Sequence, residues 1–195
     1  DGSHRMTGAE MLMRWAPEGL GAVSPAEFIP LAEQIGVIDI MGRNALHAAA
    51  RIAAQVHALG AKATLAVNLS PRQLLRPDIE RIILHACERH HADPAWLELE
   101  LTESALVTDV AAVERLLVRL RRRGFTLALD DFGTGYSSLS HLRHLPFHKV
   151  KIDRSFVKDL HADPRSRLML ESIVQLCGRL ALTTVAEGVE TAEQF

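Results

Sequence analysis

The chain has 195 residues, 48% of them hydrophobic and 24% charged, with a formal net charge of -2. That composition excludes a disordered or fibrous chain and a binder that holds nucleic acid by bulk positive charge. No apolar run approaches the roughly 18 residues that cross a bilayer, and the two cysteines, Cys87 and Cys177, fall in apolar helical patterns that suit neither a disulfide framework nor a zinc site. The first residues, Asp-Gly-Ser-His-Arg, carry no leader pattern. The expectation is a single domain over residues 1–195, soluble and cytoplasmic, touching neither DNA nor membrane.

In chain order, a short strand is expected near Gly8–Met13, then helices over Pro25–Gln34 and Ile38–Leu59. The second helix carries Leu46, Ala49, Ile52, Ala53, Val56 and Leu59 at helical spacing. A strand over Thr64–Asn68 follows, then a helix over Ile79–Arg89 and a strand over Trp96–Leu101. Asp109–Arg123 reads as a helix with Val110, Val113, Leu116, Leu117 and Leu120 on one face, Asp109 as N-cap and Gly124 just past its end. Strands over Thr126–Asp130, Lys149–Asp153 and Thr183–Glu187 complete the pattern, with a helix over Arg165–Leu180 before the last. Strands alternating with helices predict a parallel sheet, and their nearly continuous apolar character predicts cover on both faces. An open doubly wound sheet and a closed barrel both satisfy this. The absence of a Gly-rich fingerprint after an early strand weakens the open-sheet nucleotide-binding form.

Nearly every strand ends in a polar residue able to hold a metal or a proton: Asn68, Glu100, Asp130 with Asp131, Asp153 and Glu187, with Glu10 in the first strand. Asp and Asn also begin turns and cap helices, so one such ending means little. A series at intervals of about one βα unit is different, because the strand C-termini of a barrel open on one face. Oxygen ligands suit Mg²⁺, Mn²⁺ or Ca²⁺, and so many carboxylates in one place would repel without a cation. The adjacent pair Asp130-Asp131 could serve two ions, an arrangement suited to phosphodiester hydrolysis. Lys151 is the cation on these strand ends; holding or deprotonating a water, neutralising a phosphate, and a salt bridge within the acidic ring are all open to it. Asp131–Leu139, with two glycines and three aliphatic hydroxyl residues, reads as a polar lid loop.

The series Glu10-Met11-Leu12 with Arg14-Trp15, Asn68-Leu69-Ser70, Glu100-Leu101-Thr102-Glu103-Ser104, Asp130-Asp131-Phe132-Gly133-Thr134-Gly135, Lys151-Ile152-Asp153 and Ala186-Glu187-Gly188-Val189-Glu190 closely resembles the bacterial EAL domain family. The resemblance implies an α/β fold, a modified TIM (β/α)8 barrel, and metal-dependent hydrolysis of one phosphodiester of cyclic di-GMP to linear pGpG. It implies Glu10, Asn68, Glu100 and Asp130 as metal ligands, Asp131 as ligand of a second ion, and Glu187 as an acidic site residue beside the metals. Lys151 would hold the attacking water, which with Glu10 and Glu187 makes the catalytic set. Arg14 and Glu190 would contact substrate, and Glu103 would anchor the loop after the aspartate pair. The implied cofactor is Mg²⁺ or Mn²⁺, one or two ions per site, with Ca²⁺ binding as an inhibitor. Implied partners are cyclic di-GMP, a second copy in a homodimer, and sensory or cyclase domains elsewhere in a longer protein, one that could be membrane-anchored through them. The family's other face is an inactive cyclic di-GMP receptor or a scaffold. The chain departs from the pattern at Met11, where the family has Ala; Met is bulkier but leaves the Glu10 ligand in place. The family's first strand and last strand are missing from the span, so the barrel is expected to be incomplete at both ends.

Other features read more plainly. The ten histidines lie away from strand ends and are expected at surfaces and caps. The basic run Arg119-Leu120-Arg121-Arg122-Arg123 sits in the last turn of a helix, where cations suit the dipole. Trp15 and Trp96 are expected to pack.

Overall fold

The computed structural model describes residues 6–106, 109–133, 142, 144–158, 160, 163–191 and 194. They fall into two compact units, one comprising the chain up to Leu99 with Arg122–Phe125, the other Glu100–Arg121 with the chain from Thr126 onward.

In the first unit, β1 (Gly8–Met11) pairs in parallel with β2 (Thr64–Asn68), Glu10 lying opposite Ala66. Between them run α1 (Pro25–Ile35) and α2 (Ile38–Ala58). Ser24 caps α1 by accepting the Ala26 amide, Pro25 supplies a preset φ at the first helical position, and Gly36 ends the helix in the left-handed region at φ 79°. The buried face of α2 is built mainly of small residues, Gly42, Ala49, Ala50 and Ala53 around Leu46. After β2 come a one-turn helix α3 (Pro71–Leu74) and α4 (Ile79–His90), which packs on α2 and buries Ile79, Ile83, Ala86 and Cys87. A 3-10 turn, Pro94–Trp96, leads into β3 (Leu97–Thr102). Asp93 caps that turn through the Ala95 amide, so β3 begins one residue later than its apolar run predicts. Trp96 lies flat on His57, ring centroids 4.1 Å apart and planes 13° from parallel. The His57 ring in turn donates through Nε2 to the Ala63 carbonyl at 3.0 Å.

In the second unit, the end of β3 passes through a 3-10 turn, Glu103–Leu106, toward α5 (Val110–Arg122). That helix buries Val113, Leu116, Leu117 and Leu120 of the expected stripe, while Val110 in its first turn stays 41% exposed, and Asp109 accepts the Ala112 amide at its start. Then follow β4 (Thr126–Phe132), β5 (Lys149–Ile152), α6 (Arg154–Lys158), α7 (Pro164–Arg179) and β6 (Thr183–Ala186). β4 pairs with β5 and β5 with β6, all in parallel. The β4 start is tied off by a side chain: the Leu127 amide donates to Nδ1 of His148, which fixes that histidine as a backbone partner. Among the described residues no helix is long and apolar enough to cross a membrane.

Candidate metal centre

The second unit concentrates charge at its strand ends. In β5, Val150 and Ile152 are buried on one side, and alternation sends Lys151 to the other. Its side chain is only 8% exposed, yet its ammonium meets three carboxylates: Glu187 at 2.8 Å, Glu100 at 3.0 Å and Asp130 at 3.2 Å. Glu100 comes from the same alternation in β3, Leu97-Glu98-Leu99-Glu100-Leu101, all five residues buried. Glu187 follows β6 and is held there by its own amide, which donates to the Ile152 carbonyl at 3.0 Å. Burial alone would lower the Lys151 pKa. The hydrogen bond to Glu187 and the charges of Glu100 and Asp130 outweigh it, and hold the group well above the ordinary lysine range. A buried ion pair of this density is tolerated only because each charge finds a partner.

Adjacent residues of a regular strand face opposite ways, so Asp130 and Asp131 should not reach one place. β4 solves this with a bulge. Its pairing with β5 runs Ala128 to Lys149 and Leu129 to Val150, then slips so that Phe132 meets Ile152. Asp131 sits in the left-handed region at φ 53°, which Asp tolerates better than most residues. Its amide donates to Asp130 Oδ1 at 3.0 Å. As a result Asp130, Asp131 and Glu187 each bring a carboxylate oxygen within 4.8 Å of the others. Burial, and then the charges of Asp130, Glu187 and Asp153, push the Asp131 carboxyl above its usual range, against a smaller pull from Lys151. Carboxylates in such company are what a hard divalent cation relieves, and its oxygen ligands at roughly 2.0–2.6 Å lie at comparable mutual separations. The donor set therefore fits a hard divalent cation in chemical type.

Just beyond the bulge, the Gly133 amide donates to Glu103 Oε1 at 3.0 Å. Gly133 has φ 100°, and a Cβ there would fall 2.4 Å from the Phe156 ring, so a side chain would be strained and would have to displace that ring. The rest of the expected lid, residues 134–139, lies outside the described residues, as does His141.

In the first unit, β1 and β2 bring Glu10 and Asn68 together: Asn68 Nδ2 donates to Glu10 Oε1 at 2.6 Å. The turn after Asn68 is fixed by a reciprocal cap on α3. Gln73 donates its amide to Ser70 Oγ, and Gln73 Oε1 accepts the Ser70 amide. Gln73 is buried in a notch left by Gly42, where a Cβ would meet its amide nitrogen at 1.9 Å. Arg14 is exposed and donates to the Met13 carbonyl. Glu190 is also exposed; with Asp153, Arg154, Ser155, Lys158, Gly188 and Gln194 it lines a cleft of about 580 Å³. Three of these, Arg154, Ser155 and Lys158, went unnoticed in the sequence because α6 is too short to show a period.

Comparison with known proteins bears on all of this. The model of the EAL domain family matches residues 2–195. "Cyclic di-GMP phosphodiesterase PA2567" of Pseudomonas aeruginosa is 38% identical over 191 residues, which are 98% of this chain and 32% of that protein. "Cyclic di-GMP phosphodiesterase NbdA" of the same species is 40% identical over 187 residues, 95% of this chain and 24% of that protein. The chain thus spans about a quarter to a third of these curated relatives. Among solved structures, "PaMucR Phosphodiesterase, c-di-GMP complex" is matched at TM-score 0.91 and 39% identity, covering 97% of this chain and 77% of that one. The fold class is therefore α/β of the modified TIM-barrel kind, as expected, and the chain belongs to the EAL domain family.

Proposed function

We propose that this EAL domain hydrolyses one phosphodiester bond of cyclic di-GMP to linear pGpG, lowering that second messenger in bacterial signalling. The observation that carries the reading is the buried Lys151 ammonium surrounded by Glu100, Asp130 and Glu187, beside the bulge that turns Asp131 to the same place.

In this reading Glu10, Asn68, Glu100 and Asp130 hold one Mg²⁺ or Mn²⁺, and Asp131 a second. Such ions supply Lewis-acid polarisation of the phosphoryl oxygen and a water acidic enough to ionise near neutral pH. The chain's own part is positional. Lys151, as an ammonium, donates to the attacking water and holds it against the phosphorus. Glu187 keeps Lys151 aimed through their 2.8 Å contact. Glu103 holds the Gly133 backbone and so the root of the loop that would close over substrate. Arg14 contacts a phosphate, and Glu190 a further part of the ligand. Ca²⁺ would occupy the site and inhibit. A homodimer, sensory or cyclase neighbours in the longer protein and a cytoplasmic setting belong to the same proposal. The lengths of the curated relatives leave room for such neighbours.

The test is incubation of the chain with cyclic di-GMP and Mn²⁺, followed by separation of products. Linear pGpG is expected, absent after chelation and absent in Glu10→Ala. Binding without product would overturn the enzyme in favour of a receptor; no binding at all would favour a scaffold.

A further inference from the structure

Away from the carboxylates, helices α2 and α4 enclose a cleft of about 380 Å³ whose walls are almost wholly basic. On α2, Arg43 and His47 stand one turn apart; on α4, Arg81, His85 and Arg89 stand in register over two turns. The one acidic residue lining it is Asp78. Its carboxylate is already engaged by Arg76 at 3.0 and 3.1 Å and by Arg81 at 3.5 Å. Nearby acids are committed too: Asp39 to Arg76 at 2.8 Å and Glu80 to Arg123 at 3.7 Å. Among the described residues Arg43 and Arg89 have no ion pair.

Arg43, Arg81 and Arg89 bring three guanidinium charges from two helices to this cleft, with histidines set between them along the helices. His47 is tied into this cluster: its Nδ1 shares a hydrogen bond with His90 Nε2 at 3.3 Å, and its ring stands edge-on to His85, with centroids 5.6 Å apart. Its pKa is lowered, first by burial and then by His90, His85, Arg89 and Arg43. Guanidinium groups are the preferred partners of phosphate oxygens, which they bind in bidentate fashion. A volume of this size lies within the range of small-molecule sites.

We propose that the α2–α4 cleft binds a soluble di- or triphosphate anion, with Arg43 and Arg89 as its principal contacts from the two helices and Arg81 closing the rim. The anion supplies the negative charge that the cleft lacks. The site is separate from the carboxylates in residues and in charge, so it stands whether or not the chain cleaves cyclic di-GMP.

The probe is inorganic pyrophosphate, titrated into the full chain with excess chelator so that no metal-bound phosphate interferes. Binding is followed by calorimetry, by backbone amide shifts and by thermal melting. Saturable binding is expected, with shifts confined to α2 and α4 and a rise in melting temperature. In Arg43→Gln/Arg89→Gln the affinity should fall roughly tenfold or more. Those side chains are exposed, so folding should persist. Relief of repulsion should leave the anion-free double variant as stable as the parent or more so, while the pyrophosphate-induced rise disappears. Absence of saturable binding, binding undiminished in the double variant, or shifts elsewhere would each overturn the proposal. So would tight Zn²⁺ binding at His47 and His90 without pyrophosphate binding, which would make the cleft a metal site.

Discussion

At the ends of β1 and β2 a carboxylate meets an amide; at the ends of β3, β4, β5 and β6 three carboxylates meet one ammonium, with a fourth close by. The Glu10–Asn68 pair carries one charge and one neutral donor, and its geometry is set by a parallel register and a capped turn. The Lys151 cluster carries several charges, most of them buried, and its geometry is set by electrostatics and a bulge. The first should tolerate perturbation of charge and resent perturbation of packing. The second should do the reverse.

The largest effect expected is catalytic. Asp130→Ala should lower hydrolysis of cyclic di-GMP roughly a thousandfold, in the range seen when a group acting on transition-state charge is removed. Retention of full turnover would show that the charged cluster is not the reacting centre. Next comes Lys151→Met, which strands three carboxylates in a buried site and should cost about 3–5 kcal/mol in chemical denaturation without divalent ions. Added Mn²⁺ should restore much more stability to this variant than to the parent, and equal gains would break the contrast. For the first unit, Gly42→Ala should cost about 1–3 kcal/mol by overpacking. The displaced Gln73 is the far end of a flexible chain, but its Oε1 accepts the Ser70 amide, so it cannot move aside without loosening that cap. That loss should be insensitive to metal and to pH.

The smallest effect is one of sign. The Asp131 carboxyl is raised above its ordinary value in the folded protein. A raised carboxyl pKa means that the folded state takes up a proton more readily than the unfolded one. Its ionised form therefore opposes folding at neutral pH, and the opposition fades as pH falls through the raised folded value toward the unfolded one. Asp131→Asn should raise the melting temperature of the metal-free protein modestly at pH 7, not at pH 4, and should blunt the rise that Mn²⁺ gives. A drop at pH 7 would mean that attraction to its partners outweighs the crowding of the carboxylate.

Most of the scaffold was readable because its strands are short apolar runs between turns and its helices carry regular stripes, although β3 alternates Leu with Glu and β6 is mostly exposed rather than covered on both faces. Four of the five residues read as the buried face of α5 are buried, and Val110, in the first turn, is not. What escaped had too little chain to show a period, as in α3 and α6, or depended on a break in one. Strict alternation would turn Asp131 away from Asp130, and only the bulge reconciles them. For Lys151 the residue type was visible, but not the number of partners: a salt bridge within the acidic ring was one open reading, and the structure places three carboxylates on it. The Gly42 notch could not be foreseen, since a glycine inside a helix gives no sign of which side chain will fill the space. Trp15, expected to pack, does meet Phe28 edge-on at 5.9 Å, yet remains 45% exposed.

The flat stack of Trp96 on His57 has a practical consequence. Indole emission is sensitive to an imidazole in face contact, and the only other tryptophan, Trp15, meets Phe28 edge-on instead. The first unit thus carries an intrinsic optical gauge, whose fluorescence should change when the rings part, without any attached dye.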